Sequence, residues 1–365
     1  MDLRAKRLAD VIIEYSIELK KGETILIEGE EVVIPFMKEV YRRAIEIGAH
    51  PTINVSFRDA DEYLFKNGSV EQIKHLFAYE KKMYEEVDVI LNVKGTTNTR
   101  VFSNINPEKM KLQTEGHKEK IETFFRRMGT GEMRYCGTLY PVSANAQEAG
   151  MSLSDYEDFV YGAALINEED VIRKWIKVRE EQDRICEILN TKKKLRIIAE
   201  DTDISMSIEG RKWVNCHGKV NFPDGEVFTG PVEDSVEGHI KFSFPGIYGG
   251  REVEGIRLKF EKGKVIEATA EKGEELLKAL IETDEGAKFV GEIAVGTNYG
   301  INKFTRNMSF DEKIGGTVHL ALGQSLPECL GKNKSAIHWD MLCDMTDGEI
   351  YADDELIYKY KNFII

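Results

Sequence analysis

The chain has 365 residues, 42% of them apolar and 31% charged, with a formal net charge of -14. That length exceeds what one hydrophobic core usually serves and predicts two domains, and the composition is that of a soluble globular protein. A surface this negative repels phosphate backbones, which argues against nucleic acid as a partner and is compatible with sites that bind cations.

The chain opens on MDLRAKRLADVIIEYS, which has neither the apolar core nor the cleavage site of a signal peptide. No stretch approaches the roughly 18 apolar residues of a membrane span, so no membrane association is expected. Residues 24–28, TILIE, read as a short apolar strand. Phe36, Val40, Ala44 and Ile47 follow at helical spacing over 35–48, with Gly48 as a stop. TINVS (52–56), DVILNVK (88–94) and a strand-like piece in 132–143 continue the pattern. Strand and helix in alternation predict an α/β N-terminal domain, residues 1–166, with a mainly parallel sheet. It has no GxGxxG and no GxxxxGK[ST], so nothing supports nucleotide binding. Ser154 and Glu157 form a capping-box pattern that opens a helix. A connecting helix is expected over 167–193, with Ile172, Trp175, Ile176, Ile185 and Leu189 on its apolar side.

From residue 194 the texture changes. Apolar and polar residues alternate, and Gly and Pro recur every eight to twelve residues, which predicts a β-rich α+β C-terminal catalytic domain over 194–365 with one helix near 273–283. The cysteines, Cys136, Cys186, Cys216, Cys329 and Cys343, are scattered and odd in number, without CxxC spacing. They are expected as reduced thiols in a cytoplasm. Abundant Lys and Glu pairs such as Glu30–Glu31 and Lys81–Lys82 fit a heat-adapted protein.

Four stretches of this second domain carry chemistry. NFPDGEVFTGP (221–231) places Glu226 directly after a Pro-Asp-Gly turn, at the start of an apolar strand. GEIAVGTN (291–298) holds Glu292 among apolar neighbours, and DEKIGGTVHLALG (311–323) holds Glu312 and His319. SAIHWDML (335–342) sets His338 and Asp340 two apart, hence on one face of a strand. Singly each has a bland reading: a solvated turn, or a hydrogen-bonded core histidine. Together they place carboxylates and imidazoles in runs that should be buried, which is costly unless they are paired or bound to a cation. Few Lys and Arg occur in these stretches, so a metal is the more economical partner. Three Glu, one Asp and two His suit a carboxylate-bridged two-metal hydrolytic centre, and such a set takes Zn, Co, Mn or Fe.

FPDGEVFTxP, GEIAxGxN, DEKxxGTxHxALG and NxSxIHWD resemble, in order and spacing, the motifs of the thermophilic aminopeptidase T and aminopeptidase S family of metallopeptidases. The likeness covers the second domain and extends to the first through GETILIEG (22–29) and AGMSLSDYEDFVY (149–161). It implies an aminopeptidase that holds two divalent cations (Zn, Co, Mn or Mg), acts on peptides and forms a homodimer. By position, Glu226, Glu292, Glu312, His319, His338 and Asp340 match the metal ligands, and Glu292 matches the bridging carboxylate, the candidate to take a proton. The gap from Glu312 to His319 is longer than in bacterial members. Where the family carries a Tyr in a Ser-Tyr-Pro context, this chain has Leu326, with Tyr299 or Tyr248 as candidate replacements. A mononuclear iron ring-opening dioxygenase using His319, His338 and Asp340, or a degenerate member without catalysis, are the alternatives. Trp339 is expected to pack beneath the ligands rather than touch substrate.

Overall fold

The computed structural model describes residues 2–365. The chain divides into two compact units, Met1–Ile172 with Gly218–Pro223, and Arg173–His217 with Asp224–Ile365.

The first unit is built on a five-stranded sheet in the order His50–Ser56, Thr24–Glu30, Val89–Lys94, Arg134–Leu139, Asn221–Phe222, with every pair parallel. Ile25, Leu26 and Ile27, and beside them Val89, Ile90 and Leu91, are buried consecutively rather than alternately. That continuous pattern is what a parallel sheet covered on both faces requires. Helix Ile34–Glu46 turns Phe36, Met37, Val40 and Ala44 inward, as its spacing predicts.

Two local expectations are corrected. The strand in 132–143 stops at Leu139, because Pro141 cannot donate to a ladder, and helix Ser143–Glu148 follows. The helix Leu153–Ala163 is capped by Ser152, whose hydroxyl accepts from the Asp155 amide, so Ser154 lies inside the first turn. In residues 2–16, where no element was expected, helix Leu3–Val11 runs into a wider turn over Ile12–Ser16.

The second unit contains two large antiparallel sheets and a two-stranded ribbon, Gly246–Tyr248 with Arg251–Val253. The larger has eight strands, ordered Lys264–Thr269, Arg257–Glu261, Glu237–Lys241, Thr202–Ser207, Lys194–Ala199, Glu349–Ala352, Glu355–Lys359 and Asn362–Phe363. The smaller has five, ordered His338–Asp344, Thr317–Gly323, Val290–Gly296, Glu226–Thr229 and Val214–Cys216. Val227, Ile293, Val318, Leu320 and Trp339 on one face of the smaller sheet share a core with Ile197, Ile204, Ile240 and Leu258 of the larger. Helix Glu274–Ile281 adds Leu277 and Leu280 to it.

One feature of this packing sets the chemistry. In Val290–Gly296 and Thr317–Gly323 every residue is buried, on both faces. The face turned away from the core is therefore also shielded from bulk water. That face carries the polar residues.

Leu320 is fully buried in the middle of the core face. Leu320→Ala is expected to lower the unfolding free energy by about 2–5 kcal/mol, because the removed methyl groups leave a cavity that packed strands cannot close. Urea denaturation followed by tryptophan fluorescence checks this.

Candidate metal centre

Strand alternation and register assemble the site. Glu226 stands opposite Gly296, Glu292 opposite Ala321, and Ala321 opposite Asp340; His319 stands opposite Ala294, and His338 opposite Gly323. Their side chains leave the same face, on four neighbouring strands, and small residues between them keep that face open. Trp339, between His338 and Asp340, points the other way into the core.

Glu292 owes its direction to a bulge. Val290 and Glu292 are two apart and in a regular strand would share a face. Val290 instead pairs with core-facing Leu322 and Glu292 with Ala321, so Gly291 is an extra residue against its partner strand. The bulge re-aims everything after it by one position and turns Glu292 to the polar face. A Cβ on Gly291 would lie 2.4 Å from the Gly323 carbonyl oxygen and 2.5 Å from that of Gln324, so no side chain fits there.

The turn before Glu226 is held just as closely. Gly225 has φ +128°, a conformation for glycine, and a Cβ on it would meet Asn298 at 2.8 Å. The Asn298 amide donates to the Asp224 carbonyl at 2.7 Å, and the Thr297 amide to the Gly225 carbonyl at 2.9 Å. From helix Val171–Leu189, buried Gln182 directs its Nε2 at the carbonyls of Glu226 (2.7 Å) and Cys216 (3.0 Å) and at Asn215 Oδ1 (2.8 Å). Nothing in the periodicity of that helix singled out Gln182.

Both imidazoles are aimed by backbone carbonyls. His319 Nδ1 donates to the Glu312 carbonyl at 3.0 Å and His338 Nδ1 to that of Gln324 at 2.7 Å. The Nε2 atoms are left facing carboxylates, the position from which a ring binds a cation once that nitrogen carries no proton. His319 Nε2 lies 3.6 Å from Glu226 Oε2 and 3.5 Å from Glu292 Oε1. His338 Nε2 lies 3.3 Å from Glu292 Oε2 and 3.4 Å from Asp340 Oδ1. Glu292 thus offers one oxygen to each ring.

These donors fit a divalent ion. Two donors each about 2.1 Å from a tetrahedral ion are about 3.4 Å apart, longer than a good hydrogen bond. One donor atom each from Glu292, His338 and Asp340 lies within 4.8 Å of the others, and the same holds for Cys216, Asp224 and Glu226. Glu226 Oε2 is buried with no hydrogen-bond partner.

The electrostatics carry the same message. Burial disfavours a charged imidazole at His319, but the facing Glu292 carboxylate and the charge of Glu226 outweigh it, holding its pKa up at about 9. For His338 the balance of burial against Asp340 and Glu292 raises it to about 12. Burial pushes the Glu226 carboxyl up, to about 8. Without a cation the face is short of positive charge, and the histidines take up protons to supply it.

The sixth residue, Glu312, is placed differently. It follows the short helix Met308–Asp311, and its carboxylate meets the ammonium of Lys313. Lys313 is fully buried, and its Nζ also lies 2.9 Å from Glu226 Oε1 and 3.5 Å from Asp224 Oδ1. Lys and Arg are few in these stretches, as read from the sequence, yet one lysine of the DEK motif serves Glu226, Glu312 and Asp224. Nor is the Asp311–Glu312 doublet a solvated turn, since buried Asp311 accepts from the Thr305 amide and hydroxyl.

Neither candidate phenol reaches the polar face. The Tyr299 hydroxyl donates to the Lys361 carbonyl, and Tyr248 stands edge-on to Trp339 on the core side. Leu326 packs against the cluster of Phe228, Ala294 and Cys329.

The model of the thermophilic metalloprotease (M29) family matches residues 1–359. The chain is 26% identical to aminopeptidase T of Thermus thermophilus, over 92% of this chain and 91% of that protein. It is 24% identical to aminopeptidase 2 of Geobacillus stearothermophilus, over 93% and 92% respectively. Aminopeptidase AmpS of Bacillus subtilis is 25% identical over 87% of this chain and 83% of its own length. The solved structure of wild-type AmpT from Thermus thermophilus superposes with a TM-score of 0.86 over 99% of both chains at 22% identity, which shows a shared fold.

Gly291→Ala is expected to displace Glu292 and to weaken metal binding by at least about tenfold, since small displacements of positioned groups carry penalties of that order or more. Metal content after equilibrium dialysis measures it, with circular dichroism confirming that the variant folds.

Proposed function

Because the chain belongs to the thermophilic metalloprotease (M29) family, we propose that it is an aminopeptidase that removes N-terminal residues from peptides with the help of two divalent cations. The observation that carries this reading is the pair of imidazoles whose Nε2 atoms both face Glu292 within a buried carboxylate face. The names of the relatives, aminopeptidases similar over most of their length, support the same activity.

Glu226, Glu292, Glu312, His319, His338 and Asp340 would hold the ions. The two-histidine, oxygen-rich set suits zinc, cobalt or manganese, with magnesium a weaker match. Bound cations would supply a water made nucleophilic near neutral pH and an electrophile for the scissile carbonyl. The protein's own part is positioning. The Glu312 and Gln324 carbonyls fix both rings. Glu292, between the rings, is the residue we assign to accept the proton from the attacking water. Burial excludes competing solvent. His338, with 29% of its side chain exposed, is more open than Glu226, Glu292, His319 or Asp340 and marks the side from which a peptide approaches. The substrate's free amine would pair with a carboxylate of the same face. Ring-opening chemistry at a single iron would need only His319, His338 and Asp340, and would leave Glu226 and Glu292 without a role beside the same imidazoles.

We place the protein in the cytoplasm as a homodimer. The five cysteines are unbridged, which suits a reducing compartment. No helix among the described residues is long and apolar enough to cross a membrane. Ile53 and Phe57, at and just beyond the edge strand of the first unit, are exposed apolar residues of the kind a partner covers.

The test is release of leucine from a chromogenic amide by metal-loaded protein, abolished by chelation and absent when the amine is acetylated. His338→Ala is expected to lose metal and to fall by at least about 10²-fold in kcat/KM. Full metal content together with full rate in that variant would overturn the reading.

A further inference from the structure

The two halves of the centre are not equivalent. Glu292, His338 and Asp340 pair with one another and with His319, and with no Lys or Arg among the described residues. The Glu226 and Glu312 half already contains a cation. The Lys313 ammonium, with no solvent exposure, contacts one oxygen of each, and Asp224 stands 3.5 Å away. A lysine this deep is stable only where carboxylates compensate its charge. Here three carboxylates surround one ammonium, so negative charge remains in excess.

We propose that Lys313 is a built-in cation that competes with one of the two metal ions, so that the ions bind in order and with unequal affinity. This rests on the two-ion reading above and deepens it. An ion entering between Glu292, His338 and Asp340 meets donors that no lysine or arginine contacts and displaces no fixed ammonium. An ion coordinated by Glu226 and Glu312 would share both carboxylates with Lys313, which already holds one oxygen of each. It would also lie close to a like charge in a site with little solvent to screen it. The second ion therefore binds against the charge of the ammonium, and more weakly than the first. Lys313 is in this sense a positioning residue: it keeps Glu226 and Glu312 in place while the second position is vacant, and it sets the metal concentration at which the centre becomes dinuclear.

The test is titration of metal-free full-length protein with zinc against a competing chelator, with ion counts from elemental analysis. Wild type is expected to bind one ion tightly and a second at least tenfold more weakly. Lys313→Met is expected to tighten the second site at least tenfold and leave the first within about twofold. Lys313→Arg, which keeps the charge, is expected to retain the weak second site. Lys313→Gln answers the same question as Met should Met fail to fold, and thermal melts with and without zinc verify folding of each variant. An unchanged or weakened second site in the Met and Gln variants would overturn the proposal while leaving the two-ion reading intact. Binding of a single ion by every protein, at any zinc concentration, would overturn both.

Discussion

Everything at the site depends on one constraint: charged side chains stand on a sheet face that is shut off from bulk water. Carboxylates and imidazoles from four strands meet where each alone would be costly to bury. They are tolerable only because each faces a complementary charge. The observed separations are slightly too long for good hydrogen bonds and suit donors around a shared cation. The charge imbalance is felt locally, in histidines driven to hold protons and in a Glu226 carboxyl raised by burial. A divalent ion would answer both.

Placing such groups requires a stiff scaffold, and the antiparallel sheet provides it. Its core face is locked against the larger sheet by Leu320, Trp339 and their neighbours, so the other face inherits a fixed spacing. The bulge at Gly291 then corrects the one strand whose alternation would have sent its carboxylate the wrong way. Gly225 and Asn298 perform a similar service for the turn that launches Glu226. These glycines matter for what they leave out: a methyl group at either would overlap a neighbouring residue.

Lys313 alters how the centre is understood. The candidate ligands gather at one site, and yet its Glu226 and Glu312 part is already neutralised in part by a buried ammonium. Leu326, packed against Phe228, Ala294 and Cys329, presents hydrocarbon and no phenol. A chain can retain the metal chemistry of its family and still differ in how readily it takes up its ions.

Much of this was legible in the amino-acid order. Consecutive apolar runs in the first unit and alternating ones in the second follow from how many faces each sheet buries, which is a local property of sequence. The HxD spacing at His338 and Asp340 defined a shared face for the same reason, and motif order linked that face to Glu226, Glu292 and His319. What the order of residues could not express was direction and distance between strands. Whether Glu292 faces the core or the site depends on a bulge, which exists only relative to the partner strand. Lys313 and Gln182 carry no signal of a role until folding brings them to Glu226, since burial and charge pairing arise from contacts far apart in the chain. The two phenols that might have replaced the family tyrosine were excluded the same way, by where the fold points them. Sequence determined which chemical groups the protein has and the faces they share; tertiary packing decided which of them are dry, which are paired, and so which can act.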